Sequence, residues 1–133
     1  AEVRQFTGEP NLVKACRRIL ALGPSTLVVK RGEYGVLMIT NEAIFAAPAY
    51  PLENVFDPTG AGDTFAGGFL GFLASRATTD DGELRRAIIF GSVLASYTVE
   101  KFSLDRLREI TVRDVHQRYQ AFRALTHFED FVA

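Results

Sequence analysis

The sequence is poor in cysteine, in histidine and in any excess of one charge, and each shortage excludes something. Its one cysteine, Cys16, cannot close an internal disulfide. With only two histidines, His116 and His127, both distant from it in sequence, no zinc ligand set can be assembled. A single thiol fits a reducing compartment, so the cytoplasm is the expected location. Lys and Arg number 15 against 16 Asp and Glu, a net charge of −1. That balance lacks the basic excess with which a nucleic-acid binder neutralises phosphates, so no nucleic-acid partner is expected. The longest apolar runs, Phe65–Ala74 and Ala87–Val99, contain glycines and hydroxyls. They fall short of the ~20 residues needed to cross a bilayer, so no membrane partner is expected either. The first residues lack the basic stretch and apolar core of a signal peptide. They also lack an initiator Met, which suits a chain trimmed or cut from something longer.

What is present suits a soluble globular chain. Hydrophobic residues make up 47% of the 133 and charged residues 23%, enough apolar surface to offset chain entropy. Asn11–Leu22 is periodic, with Leu12, Cys16, Ile19 and Leu20 on one helical face and Lys14, Arg17 and Arg18 on the other. Asn11 suits an N-cap and Gly23-Pro24 a stop. Thr26–Val29, Val36–Thr40 and Ala43–Ala47 read as strands, the last two as a hairpin, and Pro48–Val55 as extended. Gly62–Ser75 is apolar nearly all round, which predicts a buried helix. A further helix runs from Glu83 to about Val99 after Asp80-Asp81-Gly82, with Leu84, Ile88, Val93 and Leu94 available to the core. Leu104–Arg108 reads as a short turn. Thr111 with Asp114 resembles a capping box, and Val112, Val115, Tyr119, Phe122 and Leu125 then recur at helical spacing. The chain is α/β, with a sheet small for so many helices.

Chemistry is concentrated in Asp57-Pro58-Thr59-Gly60-Ala61-Gly62-Asp63-Thr64, between an extended segment and an apolar helix. The glycines permit a tight turn with bare backbone, and the opening amides of the helix make a pocket for an anion, most often phosphate. Asp63 in the same turn would repel an anion to no purpose unless it takes a proton from a hydroxyl attacking phosphorus. A simply capped helix is the plainer alternative, with Asp63 complementing the dipole. No Lys follows these glycines, so this is not a P-loop, and Phe65 stands where the dinucleotide fingerprint needs Gly or Ala. A second candidate is Lys30-Arg31-Gly32-Glu33-Tyr34-Gly35, where glycines at a strand end would admit a nucleotide and Lys30 would supply charge. On its own this segment reads better as a hairpin turn with solvated charges. Gly67, Gly68 and Gly71 inside a helix are costly, so they are expected to let it approach the sheet or a nucleotide closely.

These residues resemble a known family. Asp57-Pro-Thr-Gly-Ala-Gly-Asp63-Thr-Phe-Ala-Gly-Gly is similar to the C-terminal signature of the ribokinase-like (PfkB) sugar and nucleoside kinases. Lys30-Arg-Gly-Glu-Tyr-Gly35 resembles that family's nucleotide-contacting loop. Glu2–Glu9 is similar to the helix after its Asn-x-x-Glu region, and Ala95–Glu100 to a helix bordering the adenine pocket. The resemblance implies a three-layer α/β/α sandwich, of which residues 1–133 would be the C-terminal portion of a single domain, without the acceptor-binding and lid region. It implies ATP-dependent phosphoryl transfer to a hydroxyl of a sugar or nucleoside, with Asp63 as general base and Gly60, Ala61 and Gly62 as the anion hole. Lys30, Gly32 and Gly35 would contact ATP, with Ser92 and Ser96 weaker candidates. Asp57 and Thr59 would hold a monovalent cation (K+), with further positions near Thr98, Lys101 and Ser103. Ser103 departs from the family's Gly, which puts cation dependence in question. Mg2+ would accompany ATP. A homodimer is the expected assembly.

The acceptor is not legible, although a nucleoside or simple sugar fits better than a phosphorylated sugar. The isolated chain is expected to bind nucleotide at most, without substantial turnover. The alternative is a non-catalytic nucleotide-binding or interaction fragment of the same fold, for which an intact Asp63 would have no use. A dinucleotide-dependent oxidoreductase would need an acid at a strand end ~20 residues past the glycines. Asp80 and Asp81 precede a helix instead.

Overall fold

The computed structural model describes residues 2–52, 59–100 and 109–132. The chain divides into two compact units, Ala1–Pro48 and Ala49–Ala133. The first opens with α1 (Glu2–Thr7) and α2 (Leu12–Leu20). Asn11 caps α2 as its sequence suggests: the backbone is extended and Oδ1 accepts from the Lys14 amide at 3.0 Å. The helix stops two residues earlier than its periodicity implies. Leu22 N–H donates to Ile19 O at 3.0 Å in the closing turn, and Gly23 takes φ +138°, which favours glycine.

Three strands follow, β1 (Thr26–Lys30), β2 (Val36–Thr40) and β3 (Ile44–Ala47). They form an antiparallel meander in the order β1-β2-β3, so the expected hairpin is present and a second joins β1 to β2. Leu27 lies opposite Ile39 and Val29 opposite Leu37. These four therefore share one face. They pack with Cys16 and Leu20 of α2 and with Val3 and Leu12, which gives this unit its hydrophobic core.

The second unit contains α3 (Ala61–Ala74), α4 (Asp81–Glu100) and α5 (Val112–Thr126). Asp80 Oδ1 accepts from the Glu83 amide at 2.9 Å and so caps α4. The Thr111–Asp114 capping box of α5 is complete, with bonds of 3.0 and 3.1 Å in the two directions. Val93, Tyr97 and Phe122 form the buried centre between α4 and α5, joined by Tyr50, Ile89, Ile110, Val115 and Tyr119.

Two expectations change here. The apolar helix α3 buries only Phe65, Gly68 and Phe72, while Leu70 is 63% exposed. One side of it meets α4, and an all-round apolar composition does not bury the other side. The glycines also divide. A Cβ on Gly68 would lie 3.1 Å from Gly91 Cα, and one on Gly91 2.8 Å from Phe65 O, so this pair sets a close α3–α4 crossing. Gly67 and Gly71 face open space. The predicted turn at Leu104–Arg108 lies outside the described residues.

Candidate active site

The turn into α3 places four of the candidate residues in one short stretch. Gly60 is the N-cap, at φ +84°, ψ −9°, a left-handed conformation that an L side chain resists. A Cβ there would meet nothing within 4 Å, so backbone conformation, not crowding, requires the glycine. The helical ladder begins with Thr64 N–H donating to Gly60 O at 2.9 Å, and the amides ahead of it lie outside the ladder. Those of Ala61, Gly62 and Asp63 belong to the positive end of the helix dipole. Asp63 sits in the first turn, exposed to solvent. The Asp63 carboxylate and the first amides of α3 thus stand on consecutive residues. Thr59 is exposed in the turn just before them.

Behind this turn, Thr64 Oγ1 also donates to Gly60 O, at 3.0 Å, and Thr98 Oγ1 of α4 donates to Thr64 Oγ1 at 3.1 Å. Thr64 follows Asp63 directly and stands four residues from Gly60, a spacing that signals a side-chain bond back to the Gly60 carbonyl. Its link to α4 has no such local signal. Ser92 and Ser96 are both buried on α4. Ser92 Oγ donates to Ile88 O at 2.8 Å. Ser96 Oγ donates to Val93 O at 2.6 Å and accepts from Arg118 at 3.1 Å.

In the other unit, the loop between β1 and β2 is a single 3-10 turn, Gly32–Tyr34. Arg31 N–H donates to Gly35 O at 2.8 Å across its base, and the Arg31 guanidinium lies 5.9 Å from the Tyr34 ring centroid. Gly32 has φ +56° with open space where a side chain would be. Gly35, at φ +87°, has a structural cause of its own: a Cβ would overlap Ala47 O and lie 2.9 Å from Pro48 Cα. Lys30 ends β1, with its side chain exposed at the entry to this loop.

Asp57, Lys101 and Ser103 lie outside the described residues. Among the described residues no three His, Cys, Asp or Glu side chains come together as a metal-binding group. No described helix is long and apolar enough to cross a membrane.

Residues 1–109 match the sequence profile described as pfkB family carbohydrate kinase. Over 71 residues the chain is 41% identical to cytidine kinase of Thermococcus kodakarensis, covering 52% of this chain and 25% of that protein. Over 80 residues it is 41% identical to aminoimidazole riboside kinase of Salmonella typhimurium, covering 60% and 24%. The crystal structure of aminoimidazole riboside kinase from Salmonella enterica, complexed with aminoimidazole riboside and an ATP analog, matches with a TM-score of 0.72 at 28% identity. That match covers 92% of this chain and 39% of the other. The chain spans about a quarter of the length of the curated relatives it matches.

Proposed function

Because this chain belongs to the pfkB family of carbohydrate kinases and has its ribokinase-like α/β fold, we propose that it serves ATP-dependent phosphoryl transfer to a hydroxyl of a sugar or nucleoside. Its 133 residues are then the base-carrying C-terminal portion of a single kinase domain. The acceptor-binding and lid side belongs to the N-terminal portion. MgATP is the co-substrate.

Asp63 takes the proton of the acceptor hydroxyl as that oxygen bonds to the γ-phosphorus. The bond from phosphorus to the β,γ-bridging oxygen breaks, and ADP leaves with the electron pair. The backbone of Gly60, Ala61 and Gly62 faces the charge that develops on the phosphoryl oxygens, where fixed amide dipoles lower the barrier without reorganising. Lys30, Gly32 and Gly35 are proposed nucleotide contacts at the end of β1. Ser92 and Ser96 are weaker ones, since each already gives its proton to a carbonyl of its own helix. Asp57 and Thr59 would hold the monovalent cation, Asp57 lying outside the described residues.

One observation carries this reading: a left-handed glycine opens α3 with Asp63 exposed in its first turn. A structural cap needs neither the bare turn nor an exposed acid at that end. The test uses the gene product containing these residues, with MgATP and a panel of cytidine, aminoimidazole riboside and ribose as acceptors. Turnover is expected with at least one acceptor, and Asp63→Asn is expected to lower it by about 10²–10⁴. A loss of less than about tenfold removes Asp63 as the base. Tighter binding of NAD than of ATP would overturn the kinase reading altogether.

A further inference from the structure

Among the buried hydroxyls of α4, Thr98 is the one that reaches across to α3. Ser92 and Ser96 donate to carbonyls of their own helix at 2.8 and 2.6 Å. Thr98 Oγ1, on a residue only 8% exposed, lies 3.4 Å from Leu94 O but 3.1 Å from Thr64 Oγ1. A single hydroxyl proton favours the shorter partner. Thr64 then has its own proton for Gly60 O, at 3.0 Å. The bonds therefore run in one direction, from Thr98 O–H to Thr64 O–H to the Gly60 carbonyl, and a hydroxyl that accepts is polarised to donate more strongly.

Gly60 is where such support has most effect. It is left-handed, has no Cβ, and caps α3 without a side-chain hydrogen bond. No side chain of its own restrains it, and glycine is the residue with the widest conformational range. The carbonyl held by Thr64 belongs to the peptide unit whose other end is the Ala61 amide. Fixing the carbonyl fixes the direction of that N–H as well, because the peptide is planar. Thr98 in turn ties the Thr64 side chain to α4.

Resting on the reading of this turn as the catalytic one, we propose that Thr98 and Thr64 are positioning residues that hold the Gly60 peptide for phosphoryl transfer. Neither touches the reacting atoms. Their loss broadens the orientations of an amide needed most when charge develops, so it slows the chemical step more than it weakens ATP binding.

The experiment compares Thr98→Val, Thr64→Val, the double variant, Thr98→Ser and Asp63→Asn in the gene product containing these residues. MgATP is used with the acceptor that turns over in the panel above. Each valine variant is expected to lower kcat about five- to thirtyfold, the range of one hydrogen bond, with KM for ATP changed by less than about twofold. The double variant should be no worse than about twofold below the weaker single, since either substitution breaks the same chain. Thr98→Ser should restore kcat. Unchanged kcat in both valine variants beside an inactive Asp63→Asn overturns this inference and leaves the base assignment standing. Additive losses, or a raised KM at unchanged kcat, overturn it as well. An active Asp63→Asn overturns the base assignment and the inference together. If Thr98→Val does not fold, Thr64→Val and Thr98→Ser make the same comparison.

Discussion

The guanidinium carbon of Arg118 lies 3.7 Å from the centroid of the Tyr97 ring. The same group stands 4.6 Å from the Tyr50 centroid, donates to Ser96 Oγ and meets Glu100 Oε2 at 2.7 Å. Its side chain is 13% exposed. A planar guanidinium can cover ring faces while its edge serves an oxygen and a carboxylate, so one residue ties α5 to α4. Tyr97 strengthens the link by donating its hydroxyl to Asp114 O at 3.0 Å.

Arg118→Ala is expected to destabilise the second unit by about 1–3 kcal/mol, less than a fully buried pair would lose. The discount reflects Glu100, whose side chain is 32% exposed and partly screened by water. Arg118→Lys should recover only part of the loss, because an ammonium cannot lie flat on either ring. Urea melts of the three proteins decide this, and a lysine variant as stable as the parent would refute the role of the planar group.

The glycine crossing makes a paired prediction. Gly91→Ala would push a methyl to within 2.8 Å of Phe65 O. It should cost about 1–3 kcal/mol, since helix backbones move apart less easily than side chains rotate. Gly71→Ala places its methyl in open space. It should stabilise α3 by roughly 0.5–1 kcal/mol through helix propensity. Equal effects of the two in thermal melts would show that the crossing is not tight.

Asp80 gives a pH dependence with a definite sign. The Glu83 amide that its carboxylate accepts holds the Asp80 pKa below the usual carboxylate range, with help from Thr78 and Arg86. A lowered folded-state pKa contributes stability that is complete above the unfolded value and is lost as pH falls through the folded one. Asp80→Asn keeps a capping oxygen but cannot titrate. The parent should therefore be the more stable near neutrality, and the gap should close below about pH 4. Melting curves of both proteins at several pH values measure it, and a gap that widens in acid would be the wrong sign.

Cys16 reports on the first unit. It is fully buried in the α2–sheet core, and burial pushes its thiol pKa up. Both effects suppress thiolate. A disulfide reagent at pH 8 should modify it at least about 10³-fold more slowly than a free thiol, through transient opening alone. Labelling at the rate of a small-molecule thiol would mean that this core is not closed in solution.

Local features were legible in the sequence because their causes are local. Asn11, Thr111 and Asp114 cap helices whose first turns lie within three residues of them. The short apolar runs Thr26–Val29 and Val36–Thr40 read as strands, and their shared face of Leu27, Val29, Leu37 and Ile39 packs on α2. The turn around Asp63 is local in the same sense, since Gly60 and Asp63 both belong to the start of α3. What could not be read depends on partners far along the chain. Thr98 meets Thr64 across 34 residues, and Arg118 meets Ser96 across 22. Gly67, Gly68 and Gly71 of α3 look alike in sequence, yet of these only Gly68 faces Gly91, because the angle at which two helices cross is not written in either one. The open side of α3, with Leu70 on it, shows the same limit: apolar composition names a residue's preference but not its neighbour.

The meander of β1, β2 and β3 also bears on the order in which the chain acquires its structure. Each strand pairs with its neighbour in sequence, across connections confined to residues 31–35 and 41–43. Closing such short connections costs little entropy and takes microseconds, whereas the Thr98–Thr64 contact must wait for two whole helices. During synthesis the sheet and α2 can therefore pair soon after β3 has left the ribosome, while the contact that joins α3 to α4 is still to form.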